Sequence, residues 1–300
     1  MTFTLAHLSD PHLGPLPKPR LAELIGKRAT GYVNWRRRRE AIHRPDVLAR
    51  VVTDLKHQAP DHIAVTGDLV NLALPAEYAP ARAWLDALGS ASDVTLVPGN
   101  HDAYVARATA HRHLHWTPYM RGDDAAPGAH DFEFPFLRRR GPLALIGVSS
   151  AVPSPPLMAI GRVGGWQLEP LGRLLDAARM EGLFRVVLIH HPPTSKRSHY
   201  LKRLVDGARF RDILARHGAE LVIHGHNHRH QTVWLDGPTA RIPAVGVPSA
   251  SETPPGEHDP AGYNLYRIDG GPDGWRCEVV SRGLVGSDVV ETRREVLADN

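Results

Sequence analysis

Six short apolar runs, rich in Leu or in β-branched residues, recur along the first three quarters of the chain, and each ends abruptly in polar residues. The runs read FTLAHLSDPH, HIAVTGD, VTLVPGNHD, LALIGVSS, RVVLIHHPP and ELVIHGHNH. Amphipathic stretches lie between most of them, at Pro45–Gln58, Pro75–Leu88, Trp166–Met180 and Ala208–His217. Strands that alternate with helices indicate an α/β architecture.

The pattern changes after His230, where QTVWLDG, TARIPAVGV, YNLYRIDG and GWRCEVVSRG are separated by Gly, Pro and Asp turns. Such spacing predicts an antiparallel meander that closes the sheet system. We therefore expect two sheets packed face to face, with helices outside. No linker or internal repeat divides the sequence, so we predict a single domain over residues 1–300. Its polar strand ends lie in 5–231 and its closing strands in 231–283.

Two segments rich in Pro, Gly and small residues, Asp123–His130 and Ala151–Gly165, are predicted loops. Both adjoin strand ends, where ligands bind in open α/β sheets. They are candidate walls of a substrate pocket.

Composition is that of an ordinary globular protein, with 42% hydrophobic and 23% charged residues. No apolar run approaches the roughly 20 residues that span a bilayer. The N-terminal MTFTLAHLSDPH lacks the features of an export signal, so we expect a cytoplasmic protein. Cys277 is the only cysteine, which excludes an internal disulfide and a Cys-based zinc site. Nitrogen and oxygen ligands must therefore hold any metal.

Positive charge is concentrated near the N-terminus although the formal net charge is only +4. Between Lys18 and Arg39 lie eight Lys or Arg residues against one acidic residue, Glu23. Such a cluster predicts an anionic partner, either a phosphate-bearing substrate or a membrane surface. A solvated helix face is the alternative interpretation.

The strand ends supply the side chains that a dinuclear metal site needs. Two cations about 3.5–4 Å apart require carboxylate, amide and imidazole ligands that converge from several strand tips. Each short motif is weak evidence alone, but their occurrence in order at successive strand ends is strong evidence. The side chains at these ends are Asp10, His12, Asp68, Asn100, His101, His190, His226 and His228.

The sequence resembles the calcineurin-like metallophosphoesterases, and most closely their bacterial phosphodiesterase branch. The resemblance rests on one ordered set of motifs: Asp-x-His, Gly-Asp, Gly-Asn-His-Asp, His and Gly-His-x-His. The resemblance covers Leu5 to Gln231. It implies a four-layer αββα sandwich with two metals at the strand tips. It also implies hydrolysis without a covalent enzyme intermediate.

Carried over by position, the resemblance implies a role for each of these residues. His101 would face the phosphate, and Asp102 would orient His101. Two cations that share a carboxylate and a water lower the pKa of that water, and the resulting hydroxide would attack phosphorus in line. The expected ligands are Asp10, His12 and His228 for the first metal, Asn100, His190 and His226 for the second, and Asp68 as the bridge.

Neighbouring histidines leave alternatives. His190 and His191 point to opposite faces of a strand, and the resemblance favours His190 as the ligand, with His191 packing or hydrogen-bonding nearby. His224 and His230 are predicted to be structural.

The cluster His111, His113 and His115 is predicted to be part of a partly helical loop or pocket rim rather than a metal site. Tyr104 and Tyr119 either stack on a substrate or pack, and the sequence does not separate the two. No Gly-x-Ser-x-Gly elbow or Walker loop is present, so the metals must supply the nucleophile.

The motifs define the reaction better than the substrate. A phosphodiesterase is favoured, with a phospholipid, a lipid-linked diphosphate or a nucleotide as substrate, and a phosphomonoesterase or a nuclease as alternatives. A non-catalytic scaffold is disfavoured because no ligand position is lost. The metals are expected to be Mn, Fe or Zn, and nothing in the sequence indicates the oligomeric state.

The basic segment 27–44 mixes Arg with Tyr32 and Trp35. This mixture suits peripheral contact with an anionic membrane at its inner face, which we state as a hypothesis. Nucleic acid is a less favoured partner because the rest of the chain has only short basic clusters, such as Arg138–Arg140.

Overall fold

The computed structural model describes residues 2–125, 134–194, 197–253 and 258–299. These ranges contain two mixed sheets of six strands each. In the order β12-β11-β10-β1-β2-β3, the first sheet contains β1 (Phe3–Leu8), β2 (His62–Val65), β3 (Val94–Leu96), β10 (Gly262–Gly271), β11 (Gly274–Val285) and β12 (Asp288–Asp299). In the order β4-β5-β6-β7-β9-β8, the second contains β4 (Phe136–Arg140), β5 (Leu143–Gly147), β6 (Phe184–Leu188), β7 (Leu221–His224), β8 (Gln231–Leu235) and β9 (Ile242–Gly246).

Helices cover the outer faces of the sheets. The α-helices are α1 (Lys27–Asn34), α2 (Glu40–Ile42), α3 (Pro45–His57), α4 (Pro75–Leu88), α5 (Ala108–Trp116), α6 (Gly165–Met180) and α7 (Gly207–His217). A π-helical turn, Trp35–Arg39, joins α1 to α2. None of the described helices is both long enough and apolar enough to cross a bilayer.

Alternating side chains of the second sheet fill two separate apolar cores. On β5, Leu143 and Leu145 point into the core between the sheets, whereas Ala144 and Ile146 belong to the core beneath α6 and α7. This is the two-residue period of a strand that is buried on both faces. The predicted four-layer αββα sandwich is therefore confirmed.

The parallel strands place the predicted polar ends together. In the first sheet β1, β2 and β3 run parallel, and in the second β5, β6, β7 and β9 do. A β-bridge between Ser9 and Ser249 joins the segment that follows β1 to the segment that follows β9. Carboxyl ends of strands from both sheets therefore meet at one edge of the sandwich.

The prediction that the last strands form one antiparallel meander is wrong. β8 and β9 belong to the second sheet, whereas β10, β11 and β12 extend the first sheet through β1. Apolar alternation within a strand does not say which sheet the strand joins, because that choice depends on distant partners. The strands β4 and β12 were also not predicted.

The structure describes one of the two predicted loops in full, and it buries the first arginine of the basic cluster Arg138–Arg140. Residues 126–130 of the first loop lie outside the described residues, whereas residues 151–164 are irregular up to the start of α6. The guanidinium of Arg138 is buried and donates to the carbonyls of Arg121, Val94 and Pro118. It ties β4 to β3 rather than facing solvent.

Candidate metal centre

The predicted ligands lie on sharp turns immediately after their strands. Five of them have left-handed backbones, with φ of 53° at Asp10, 41° at His12, 55° at Asp68, 68° at His226 and 51° at His228. Residues other than glycine rarely adopt this region, and such strain is concentrated at functional sites. The turns aim successive side chains into one space instead of continuing the strands.

Two glycines let the tips of β2 and β3 touch. A Cβ on Gly67 would lie 2.3 Å from the backbone nitrogen of Gly99, and a Cβ on Gly99 would lie 2.2 Å from Oδ1 of Asp68. Only residues without side chains allow this approach. The contact brings Asp68 to the middle of the site, where its Oδ1 accepts a hydrogen bond from the backbone N–H of His101 at 2.7 Å.

One group of donor atoms contains the residues expected for the first metal. Nε2 of His228 lies 3.1 Å from Oδ1 of Asp10, and Nε2 of His12 lies 3.9 Å from the same oxygen. One donor atom from each residue lies within 4.8 Å of the others. Nε2 of His12 also lies 4.0 Å from Oδ2 of Asp68.

A second group adjoins it. Nε2 of His190 lies 3.1 Å from Oδ1 of Asn100, 3.4 Å from Oδ2 of Asp68 and 3.2 Å from Nδ1 of His226. Nitrogen and oxygen ligands lie about 2.0–2.2 Å from a zinc-sized ion, so donors around one ion are roughly 3–3.5 Å apart. The donor sets therefore suit divalent cations, and Oδ2 of Asp68 faces both groups.

The electrostatics of the site favour added positive charge. Burial opposes the charged form of His190, but the carboxylates of Asp68 and Asp10 and the backbone of Thr66 together outweigh it and raise the pKa of His190 to about 9. Asp10 and Glu252 together similarly overcome burial and raise the pKa of His228 to about 9. Buried carboxylates that attract protons in this way would also attract metal cations.

His101 lies in the cavity wall beside Asp68. Its Nδ1 lies 2.6 Å from the carbonyl oxygen of Asn71, so Nδ1 carries the proton that this carbonyl accepts. Burial, with the adjacent Arg39 guanidinium, lowers the pKa of His101 to about 3. The neutral ring can accept a hydrogen bond from Arg39 at Nε2, 2.9 Å away.

Asp102 has different partners from the ones expected. Its carboxylate accepts hydrogen bonds from the backbone N–H groups of Gly99, Asp68, Leu69 and Val70 at 2.8–3.1 Å. The expected contact with the His101 ring is absent among the described contacts of Asp102, and Asn71 orients that ring instead. Asp102 therefore holds the turn after β2 against the turn after β3. The adjacent-residue pattern could not reveal this, because three of the four donors come from another strand end.

The other histidines lie outside the two donor groups or are already bonded. Nδ1 of His191 lies 2.8 Å from Oγ of Ser150, and Nε2 lies 3.1 Å from the carbonyl oxygen of Ala159. One nitrogen of His191 also lies near His190 and His226. Because protein groups contact both of its nitrogens, the structure favours hydrogen bonding over ligation for His191.

The histidine cluster on α5 lies apart from the donor groups. His111 stacks on the ring of Tyr78, with centroids 5.3 Å apart. Of the two tyrosines whose role was open, Tyr119 is buried and its hydroxyl donates to Asp86. Tyr104 instead lines the cavity and stacks on His101, with centroids 5.4 Å apart.

Glu252, which the sequence motifs do not indicate, lies behind a predicted ligand. Its Oε2 lies 2.6 Å from Nδ1 of His228, and its Oε1 lies 2.9 Å from Nδ1 of His258. The Glu252 side chain is only 1% exposed. A carboxylate on the far nitrogen of an imidazole fixes the ring and makes it a more basic ligand. Glu252 lies in the segment after β9 and belongs to none of the strand-end motifs, so only the fold shows this contact.

The charge pattern of the basic segment 27–44 did not show that part of this segment lines the site. Lys27 and Arg39 both line a cavity of about 620 Å³ that opens over the donor groups. Met158 and Ala159 of the predicted loop line the same cavity. The segment therefore forms a wall of the site as well as part of the protein surface.

Comparison with known proteins agrees with this geometry. A family model described as calcineurin-like phosphoesterase matches residues 3–230. The chain belongs to the calcineurin-like phosphoesterase family. This confirms the resemblance drawn from the motifs, and this calcineurin-like protein is a metal-dependent phosphoester hydrolase.

Two relatives from cyanobacteria bear the same description. The chain is 31% identical over 255 residues to a "probable cyclic nucleotide phosphodiesterase" of Synechococcus sp. (strain WH7803), covering 82% of this chain and 81% of the relative. It is 26% identical over 286 residues to a protein so named from a second Synechococcus strain, covering 93% and 92%. A dimetal phosphatase from Danio rerio has a similar fold, with a TM-score of 0.62, 14% identity and 99% of each chain covered.

Replacing Glu252 with Gln should weaken metal binding by about 10- to 100-fold, because the amide orients the His228 ring less strongly than a carboxylate does. Titration of chelator-stripped protein with Mn, followed by calorimetry, measures the affinity. Glu220→Gln is a matched control, since Glu220 pairs with Arg185 away from the site. Equal affinities for wild type and Glu252→Gln would show that Glu252 does not position His228.

Proposed function

We propose that this protein is a phosphodiesterase with a dinuclear metal centre, and that the seven predicted ligands hold its two ions. The position of Asp68 carries the proposal, because its Oδ2 lies 3.4 Å from Nε2 of His190 and 4.0 Å from Nε2 of His12. A single carboxylate thus adjoins both donor groups. The ligand types suit Mn, Fe or Zn.

Divalent ions at these groups would supply an activated water and neutralise charge on the phosphoryl oxygens. The side chain of His101 would contact the same phosphate. An anionic phosphate near His101 raises its pKa, since a nearby negative charge favours the imidazolium. Nε2 could then protonate the leaving oxygen while Asn71 holds Nδ1.

The preference for diesters is supported by the two relatives named as cyclic nucleotide phosphodiesterases. A nuclease is less well supported, because Arg139 and Arg140 pair with Glu181 and Asp123. With Arg138 buried, this basic cluster offers no free stripe for a nucleic-acid backbone.

We further propose that the basic segment touches an anionic membrane, which would place the protein at its cytoplasmic face. Arg36 and Arg37 are exposed, and the nearby apolar side chains of Leu21, Ile25 and Val33 are also exposed. Trp35 is buried and does not contribute to this surface. Arginines beside apolar side chains suit lipid phosphates and the headgroup boundary.

Hydrolysis of bis(p-nitrophenyl) phosphate beside p-nitrophenyl phosphate tests the enzymatic proposal. We expect faster cleavage of the diester by Mn-loaded protein and no cleavage by chelator-stripped protein. His190→Ala should lower metal stoichiometry, and His191→Ala, its neighbour on the chain, should leave it unchanged. Preference for the monoester would contradict the phosphodiesterase assignment, and equal metal loss in both variants would contradict the ligand assignment.

Sedimentation with liposomes tests the membrane proposal. The wild type should sediment with vesicles that contain anionic phospholipid and remain in the supernatant with neutral vesicles. A double replacement of Arg36 and Arg37 by Glu reverses charge on the exposed face and should abolish sedimentation. Sedimentation that is independent of anionic lipid would rule the contact out.

A further inference from the structure

We propose that Lys27 and Arg39 form an anion subsite beside the metal centre that spans two phosphoryl groups of the substrate, with Arg39 on the phosphate held at His101 and Lys27 on a second one. The substrate class would then be diphosphate diesters, in which two phosphates are joined by an anhydride bond. The inference rests on the proposed phosphodiesterase function for its reaction, but the subsite itself depends only on residues of this chain.

Arg39 lies directly against the predicted catalytic and ligand side chains. Its Nη1 lies 2.9 Å from Nε2 of His101, and its Nη2 lies 2.8 Å from Nε2 of His12. A planar guanidinium presents several donors in a fork that matches phosphate oxygens. Arg39 is thus within reach of an oxygen on a phosphate held at His101.

Lys27 lies against the ring that stacks on His101. Its Nζ is 4.3 Å from the centroid of the Tyr104 ring, and that ring stacks on His101. Nζ also donates to Oγ of Ser154 at 2.6 Å. His101, Tyr104 and Lys27 line the same cavity, so Lys27 is placed to contact a second phosphate joined to one held at His101.

Neither cation forms an ion pair with a carboxylate among the residues described, and the Asp68 carboxylate acts on both only from a longer distance. In the ranges that the structure covers, no carboxylate oxygen lies within 4.0 Å of Lys27 or Arg39 to form an ion pair. Lys27 is nevertheless only 9% exposed. An ammonium group buried without a counter-ion is costly, so such a group in a cavity is suited to bind an anion.

Burial lowers the pKa of Lys27 to about 8. The amine therefore remains mostly protonated at neutral pH, and a bound anion would raise its pKa again. Formal charges point to the same ligand class. Two divalent ions would contribute +4, Asp10, Asp68 and Glu252 contribute −3, and the basic residues that line the cavity, Lys27, Arg38, Arg39 and Lys202, contribute +4, which leaves +5 around the cavity. A simple diester carries one negative charge, whereas a diphosphate diester carries two.

The proposed reaction balances with water alone. The water oxygen forms a bond to one phosphorus as the anhydride bond from that phosphorus to the bridging oxygen breaks. The bridging oxygen leaves with the second phosphate, and the two protons of water go to the two phosphomonoester products or to solvent. No oxidant, reductant or second substrate is required.

Calorimetry with inorganic anions tests the subsite without turnover. Chelator-stripped wild type should bind inorganic pyrophosphate at least about tenfold more tightly than orthophosphate, because two charge-assisted contacts replace one. Lys27→Met and Arg39→Met, which keep much of the apolar stem, should each weaken pyrophosphate binding by about 10- to 100-fold. Arg37→Met, which removes an exposed cation of the same segment, should bind like the wild type.

Arg39→Lys keeps the charge but loses the fork of donors, so it should bind pyrophosphate more tightly than Arg39→Met and more weakly than the wild type, which separates loss of charge from misfolding. The subsite would be overturned if the wild type bound the two anions equally. It would also be overturned if Arg37→Met lost as much pyrophosphate affinity as Lys27→Met. These results do not depend on hydrolysis, so failure of the proposed reaction would be recognised separately.

Kinetics with Mn-loaded protein then test the substrate class. Lys27→Met should lower kcat/KM for a diphosphate diester by about tenfold or more while changing that for bis(p-nitrophenyl) phosphate little. A dinucleotide joined by a diphosphate and a lipid-linked diphosphate in detergent micelles serve as the two substrates, and the faster one identifies the source of the diphosphate. If Lys27→Met lost kcat/KM equally on the simple diester and on both diphosphates, that result would contradict a separate subsite.

Discussion

The carboxylate of Asp102 is the contact on which the geometry of the site depends. It binds the backbone of two strand ends, accepting from Gly99 on one side and from Asp68, Leu69 and Val70 on the other. Side chains at Gly67 or Gly99 would force these ends apart. Since the Asp68 side chain stands at this junction, any separation of the ends would move it relative to both donor groups. Hydrogen bonds to a buried carboxylate are stronger than neutral ones, which makes this junction stiff.

The local sequence patterns predicted most of the elements. The helix predicted at Pro75–Leu88 has those bounds in the structure, and α3, α6 and α7 differ from prediction by one residue. Polar residues at strand ends converge because parallel strands end at a common edge, so the donor groups could also be expected. These features follow from short-range periodicity and from strand direction.

The parts that were not predicted depend on contacts between distant segments. Glu252 reaches His228 from a turn after β9, and Asn71 takes the place expected for Asp102 at the ring of His101. The two-sheet division of β8 to β12 likewise depends on which earlier strand each one pairs with. No pattern within a window of ten residues contains this information.

The basic segment links the site to its surroundings. Its exposed face carries Arg36 and Arg37, and its buried face brings Lys27 and Arg39 to the cavity. The basic residues of this segment therefore face two different environments, which the net charge of the segment does not distinguish. One face is suited to an extended anionic surface and the other to a small anion held beside the predicted metal ligands.

Anomalous diffraction from crystals of the Mn-loaded protein tests the central claim most directly. The account predicts two anomalous peaks about 3.5–4 Å apart, one on each side of the Asp68 carboxylate. One peak should lie among Asp10, His12 and His228, and the other among Asn100, His190 and His226. A single peak would contradict the proposed dinuclear centre, and a peak held by His191 in place of Asn100 would contradict its ligand assignment.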